Sequence, residues 1–465
     1  MKLTKLFLFS FLFIFLSLFL APLVFPSTDT PMDPGELKRF SNGERLSLTV
    51  EKCIEIGLLY SKTYYASQMD VDIATAKFKE ARTKQLPSLK LDGSYTRMSK
   101  IPPFEVVVEF PGVPPMHFVL SQSILNYYNF QFSLQQPLFT GFAIENSIKA
   151  AKMGVMAAQE LHTRDRNELI YNIKNAYWTL YKAIEFQKLI DENVGMIQSH
   201  LNDVQRFFDQ GLAKLNDVMK VQVQLSSMKV NQLDMTQKVR LATMALNSLL
   251  GIPLDQQIAL TSPINVIPET RPEVSAQVSQ ALTQRSEIKA MGYNIRALEA
   301  SKKIAQAGYY PRLFLVANYY YSNPNTRIMP IQSKFNDTWD LSLGLSLDLW
   351  NWRSTAFQVN QAGSQLLKAR AGESQLKDMI TLEVQQNYFD LMQAKEKINL
   401  SETSVKQAEE NYRITNERFK AGLTTNSELL DAEVALLNTK VSRTEAFIDV
   451  ELARARLDKS TGKDE

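Results

Sequence analysis

The sequence predicts an α+β membrane protein in which long coiled-coil α-helices run on into bilayer-length β-strands, four per chain, laid out as two internal repeats. Three observations carry that prediction. Long proline-free runs are rich in helix formers, four shorter runs alternate apolar and polar side chains, and the first half of the chain aligns on the second without gaps over most of its length.

At 465 residues the chain is long enough for two or three ordinary domains. Its 52 basic residues nearly balance 49 acidic ones and form no basic stripe, so no nucleic-acid partner is expected. A mean hydropathy of −0.19 excludes a bundle of membrane helices. The amino terminus differs from the rest. Lys2 and Lys5 precede an apolar run over 6–24. That is the layout of a secretory signal peptide, assigned to residues 1–26, with 27–45 as an extension. An uncleaved membrane anchor is the alternative, because the run is nearly long enough to span a bilayer. Cys53 is the only cysteine, so no disulfide framework exists and it reads as a small apolar residue on a helix. His117, His162 and His200 are scattered, with no second ligand at metal spacing. No metal, cofactor or catalytic residue is expected.

The repeats are long. Leu86-Pro87-Ser88-Leu89 aligns with Tyr310-Pro311-Arg312-Leu313 at an offset of 224 (311 − 87). Pro137-Leu138-Phe139 aligns with Asp348-Leu349-Trp350 at an offset of 211 (348 − 137). That second line continues ungapped to Gly251 on Gly462, passing Tyr177 on Tyr388, Phe208 on Phe419 and Gly211-Leu212 on Gly422-Leu423. The repeats span 46–252 and 273–462, joined by a proline-bearing linker over 253–272, with 463–465 as the carboxyl-terminal end.

Helices follow from composition and period. No proline occurs over 35–86, 138–252 or 331–465. An internal proline costs a helix about 3 kcal/mol, and these runs are rich in Ala, Leu, Gln, Glu and Lys. Leu169, Ile173, Ala176, Leu180 and Ile184 recur at threes and fours, which makes one apolar face, and Leu382, Tyr388, Leu391 and Ile398 are read as its counterpart in the second repeat. The run over 142–209 would form a rod of roughly 100 Å.

Strands are expected at about 88–98, 127–137, 312–322 and 337–349, where the period drops to two. Tyr128, Phe130, Phe132 and Leu134 alternate with Asn129, Gln131, Ser133 and Gln135. Trp339, Leu341, Leu343 and Leu345 alternate with Asp340, Ser342, Gly344 and Ser346. Each run is long enough to cross a bilayer as a tilted strand. Tyr127, Phe139, Tyr309, Tyr310, Trp339, Trp350 and Trp352 sit near strand ends, where interfacial girdles lie. Residues 101–116 hold five prolines and read as a loop on the outer side, either a plain connection or a surface site. A sheet in hydrocarbon must close, and four strands cannot. Two copies give eight strands, three give twelve and four sixteen; the polar faces suggest a wet lumen and favour three or more. A soluble sandwich is the alternative.

Taken together, these features resemble the TolC-type outer membrane efflux protein family, over about 46–462. The resemblance is carried by the doubled element order, by Leu46-Ser47-Leu48-Thr49-Val50-Glu51, by Lys84-Gln85-Leu86-Pro87-Ser88-Leu89 and by Gln136-Pro137-Leu138-Phe139. The strongest local match is Arg418-Phe419-Lys420-Ala421-Gly422 followed by Ser427-Glu428-Leu429-Leu430-Asp431-Ala432. The resemblance implies a homotrimer whose twelve-strand transmembrane β-barrel meets outer-membrane lipid and continues into a periplasmic α-helical barrel. It implies a passive exit duct for efflux or type I secretion. The partners would be a periplasmic membrane-fusion adaptor and an inner-membrane pump of RND or ABC type.

Gly211 and Gly422 lie between helical runs, where glycine permits the left-handed turn a helix end needs. By resemblance, Gly211-Leu212 and Gly422-Leu423-Thr424 are tips that dock the adaptor. Asp217, Glu428 and Asp431 follow those turns. They suit helix starts, with Thr425 and Glu428 as a capping box. The resemblance also places Glu428 and Asp431 at the closed end of the duct, where threefold rings of carboxylates, Asp217 included, would favour cations. The family's described lock uses Tyr and Arg where this chain has Phe419 and Thr424. Any closed state is then held otherwise, for instance by Lys214 or Arg418. The rival reading is an exported coiled-coil structural protein without a pore.

Overall fold

The computed structural model describes residues 45–102, 104–121, 124–263 and 273–463, with the backbone alone over 117–121. The signal peptide and all but the last residue of the extension lie outside the described residues. Strand β1 (Leu46–Leu48) is followed by α1 (Val50–Tyr60), α2 (Lys62–Thr83), β2 (Ser88–Arg97), β3 (Phe104–Val108), β4 (Met116–Ser121) and β5 (Asn126–Phe139). Then come α3 (Ala143–Asp209), α4 (Leu215–Leu250) and β6 (Ile258–Leu260). The second half holds α5 (Val274–Gln284), α6 (Ser286–Gln306), β7 (Arg312–Asn323), β8 (Asn336–Ser346), α7 (Ser354–Lys420) and α8 (Asn426–Thr461).

Helices α3 and α7 are each 67 residues long, about 100 Å. Helices α4 and α8 are each 36 residues. Near the turns the helices pack side by side in the order α4–α3–α8–α7. Toward the sheet the order is α2–α3–α6–α7. Both layers therefore end in a helix with one free flank. Ile173 and Leu180, from the periodic stripe, and Tyr177 beside them are fully buried where α1, α4 and β1 meet α3. In the second repeat Leu391 is buried, but Leu382 is 66% exposed and lies off the expected face, because it is nine residues (391 − 382), about two and a half turns, from Leu391. Among the described residues no helix is long and apolar enough to cross a membrane.

Two expectations need correction. The proline-free run over 35–86 is not one helix. It breaks at Ser61, whose backbone is extended (φ −67°, ψ 121°), and Arg285 makes the same break between α5 and α6 (φ −60°, ψ 127°). The left-handed glycine after α4, Gly251, packs so tightly there that a Cβ would lie 2.1 Å from the Tyr60 carbonyl oxygen. Gly462, after α8, lies against Gln284 and Arg285 less closely, a Cβ there falling 3.3 Å from the Arg285 nitrogen. The breaks accommodate incoming helix ends, which no proline in the broken run announces; Gly57 stays helical, a full turn before Ser61. Second, the proline-rich loop over 101–116 holds β3, which pairs antiparallel with β4. Its prolines flank Phe104–Val108 and leave that strand free to pair.

The linker carries β6, which pairs parallel with β1; residues 264–272 lie outside the described residues. The buried Tyr177 hydroxyl holds this belt to α3. It donates to the Leu48 carbonyl oxygen at 3.1 Å and accepts from the Ser262 N–H at 3.0 Å. Tyr177→Phe strands the Ser262 N–H, while the Leu48 carbonyl keeps the Thr261 N–H at 3.1 Å, so a loss of about 1–3 kcal/mol is expected in thermal or denaturant unfolding. A stability equal to wild type would refute that role. Cys53 is fully buried, and burial pushes its thiol up to about 12, in keeping with an inert packing residue.

Candidate functional site

The sheet runs β2–β5–β7–β8, antiparallel throughout. Its register sorts side chains onto two faces, because successive residues of a strand point opposite ways. Lys90, Ser133, Asn318 and Asp340 stand in one row across all four strands. Leu89, Leu134, Ala317 and Leu341 make the next row, on the other face. The apolar face is thus Leu89, Leu91, Phe130, Phe132, Leu313, Leu315, Trp339, Leu341, Leu343 and Leu345. The four from β8 are 60–73% exposed, far more than a folded soluble sheet tolerates on its greasy side. The polar face is knitted by hydrogen bonds. Asn318 donates to Asp340 at 2.8 Å and accepts from Ser133 at 2.8 Å and from Gln131 at 3.3 Å. Strands β2 and β8 each pair on one side only, so the sheet has two open edges.

Aromatics gather where sheet meets helix. Phe139 packs edge-on to Phe142 and Phe142 to Tyr310, with Trp350 against Trp352. Tyr309, Tyr310, Trp350 and Trp352 are exposed there. Tyr127 departs from the expected girdle: its register partner is Thr96, which puts it on the polar face, and Tyr128 takes the apolar side.

At the far end of the rods the turns match. Gly211 (φ 74°) and Gly422 (φ 72°) occupy the left-handed region. The N–H of the residue after each glycine reaches back to a carbonyl five residues earlier, Leu212 to Phe207 and Leu423 to Arg418, both at 2.8 Å. Leu212 and Leu423 are 74% and 68% exposed, so each turn presents a bare leucine. The two turns are neighbours: Asn426 donates to the Asp217 carbonyl oxygen at 3.2 Å, and Lys220 to the Ser427 hydroxyl at 3.3 Å.

The three acids divide. The Asp217 carboxylate accepts from the Lys214 N–H at 3.2 Å, capping α4. Thr425 caps α8 by accepting from the Glu428 N–H at 3.3 Å. The reciprocal half of the expected capping box is not made, because the Glu428 carboxylate instead accepts from the Thr424 hydroxyl. Asp431 lies one turn on, exposed and without an ion pair among the described residues. Lys214 and Arg418 are exposed and unpaired in the same sense, so neither holds the two helix pairs together in the protomer.

A buried pair does so instead. His200 on α3 places Nδ1 3.2 Å from both carboxylate oxygens of Glu433 on α8, and both side chains are 2% exposed. The imidazole lies edge-on to Phe419, ring centroids 5.2 Å apart. Ile197, Val204, Val218, Val221, Leu225 and Leu429 complete the cluster. Burial, then the nearby Glu433 and Asp203 carboxylates, raises the Tyr412 phenol above its ordinary range. Sequence reasoning left His200 as an isolated histidine. Its partner is 233 residues away, and no spacing signals the meeting. Of the other histidines, His162 stacks on Tyr64 at 4.7 Å and bonds Ser67 at 2.7 Å. The His117 side chain lies outside the described residues. Among the described residues no group of His, Cys, Asp and Glu could hold a metal ion.

A sheet greasy on one face and wet on the other, mounted on 67-residue rods, is the architecture of a membrane channel protein. The family model for outer membrane efflux proteins matches residues 61–252 and 277–463. The chain belongs to the outer membrane efflux protein family; its location is the outer membrane, with a periplasmic extension, and its role is transport rather than catalysis. The outer membrane efflux protein BepC of Brucella suis biovar 1 is 21% identical over 334 residues, 71% of each chain. The alkaline protease secretion protein AprF of Pseudomonas aeruginosa is 23% identical over 330 residues, 70% of this chain and 67% of that one. The CmeC outer membrane channel of Campylobacter jejuni has the same fold. It superposes with a TM-score of 0.76 at 15% identity, covering 89% of this chain and 85% of that one. The poreless scaffold reading has no footing in that family.

Proposed function

We propose that three copies of this chain close one duct through the outer membrane and periplasm, each copy built from two related halves. The observation that carries this is the four-stranded sheet with an apolar face, a polar face and two open edges. An open edge in hydrocarbon leaves backbone N–H and C=O groups unpaired at several kcal/mol each, so β8 of one copy must meet β2 of the next. Three copies make twelve strands around a polar lumen. The helical layer supports the same closure. Its free flanks, α4 and α7, carry exposed apolar residues, including Met219, Val223, Val230 and Leu233 on α4 and Leu367, Met379, Leu382 and Leu400 on α7. The apolar sheet face meets outer-membrane lipid.

At the far end, Leu212 and Leu423, with Gly211, Gly422 and Thr424, form bare apolar tips suited to a periplasmic membrane-fusion adaptor, which links the duct to an inner-membrane pump of RND or ABC type. The names of the relatives, an efflux protein and a protease secretion protein, keep both kinds of cargo open. Energy comes from the pump, and the duct needs no cofactor. Asp217, Glu428 and Asp431 become rings of three by symmetry and select cations at the narrow end. In planar bilayers the purified protein is expected to run as an SDS-resistant trimer and to give discrete single-channel conductance. Glu428→Ala with Asp431→Ala raises the conductance or lowers cation selectivity. A stable detergent-free monomer with no membrane affinity would overturn the duct; unchanged conductance and selectivity in the double variant would overturn the gate alone.

A further inference from the structure

The connection between β7 and β8, residues 324–335, joins the strand ends farthest from the helices, which is the outer mouth of the duct proposed above. Its first residues fold back onto the sheet. Asn325 is 3% exposed and donates to the Asn336 carbonyl oxygen and the Thr338 hydroxyl, both at 3.2 Å, while its own side-chain oxygen accepts from the Arg327 N–H at 3.0 Å. That turn aims Arg327 back along the polar face. Its guanidinium stacks on the Tyr320 ring at 4.1 Å and pairs with Asp340 at 2.8 Å. Asp340 is four residues in from the end of β8 at Asn336, about 14 Å along the strand. Its other carboxylate oxygen is held by Asn318, so the partner is fixed in place before the arginine arrives.

We infer that this loop is an inward strap across the outer mouth and that Arg327 determines what passes it. The inference rests on the trimeric duct, in which three straps converge on one lumen. A basic side chain pinned to the wall narrows the opening and offsets the Asp340 carboxylate, which alone would draw cations. The guanidinium remains 46% exposed, so permeating solutes meet it directly. A small or anionic solute suits that mouth better than a bulky cation.

The test uses the intact protein in planar bilayers under a salt gradient, with the SDS-resistant trimer as the control for assembly. Arg327→Glu places like charges side by side, releases the strap, raises conductance and shifts the reversal potential toward cations. Asp340→Asn releases the strap yet leaves the arginine, so conductance rises while the reversal potential shifts toward anions. Arg327→Asp combined with Asp340→Arg restores the pair and returns conductance toward wild type. A wild-type protein that conducts while Arg327→Glu leaves conductance and reversal potential unchanged overturns the strap and spares the duct. A double variant no closer to wild type than Arg327→Glu also overturns it. A wild type without conductance sinks the duct itself.

Discussion

His200→Ala loosens the turn end of the rods by about 3–5 kcal/mol, the cost of leaving one half of a buried ionisable pair alone. The Glu433 side chain is 2% exposed, and His200 is its hydrogen-bond partner there. Without the imidazole the carboxylate is left beside the apolar cluster of Ile197, Val204 and Phe419 and loses its donor from His200. Helices α3 and α8 then part first at this point, because the pair is what joins their polar atoms deep in the cluster. Hydrogen exchange is the measurement, since opening is local in a molecule of this length. Amides over 194–209 and 426–436 should exchange more than about a hundredfold faster than in wild type. Those near Tyr177 should not change. His200→Leu combined with Glu433→Leu should recover most of the loss, because apolar side chains of similar volume often replace a buried pair at little cost. Equal protection in wild type and His200→Ala would show that the pair holds nothing.

Leu341→Arg and its neighbour Ser342→Arg should behave as opposites. Leu341 is 60% exposed at mid-strand on the apolar face, and arginine at the bilayer midplane costs a barrel about 2–4 kcal/mol. Three copies multiply that penalty, so Leu341→Arg should lose the SDS-resistant trimer on refolding into lipid vesicles. Ser342 faces the other way, in the row with Val316 and the polar side of β7. Arginine there reaches the lumen, so Ser342→Arg should assemble normally and shift ion selectivity toward anions. If Ser342→Arg were the variant that failed, the two faces would have to be exchanged.

Much of this was legible before folding. The alternation of Trp339, Leu341, Leu343 and Leu345 with Asp340, Ser342 and Gly344 records a strand between two solvents, and β8 lies there. The run over 142–209 lacks proline and repeats at threes and fours, and α3 fills it. Gly211 and Gly422 marked turns because few other residues accept a positive φ. Other elements left no such trace. Phe104–Val108 was hidden by surrounding prolines, and the breaks at Ser61 and Arg285 answer to helix ends arriving from 190 and 177 residues away (251 − 61 and 462 − 285). Asp217 and Glu428 stand in the first turns of α4 and α8, yet the Glu428 carboxylate meets the Thr424 hydroxyl and not the backbone N–H of Thr425.

Period and composition report a residue's own surroundings, so strand, helix, turn and the sided character of the sheet could be written down from the chain alone. The row that sets Ser133 beside Asn318 and Asp340, the meeting of His200 with Glu433 and the return of Arg327 onto Tyr320 could not. Each of these depends on register and packing between elements far apart in sequence, and a long-range contact places no constraint on neighbouring residues from which it could be read.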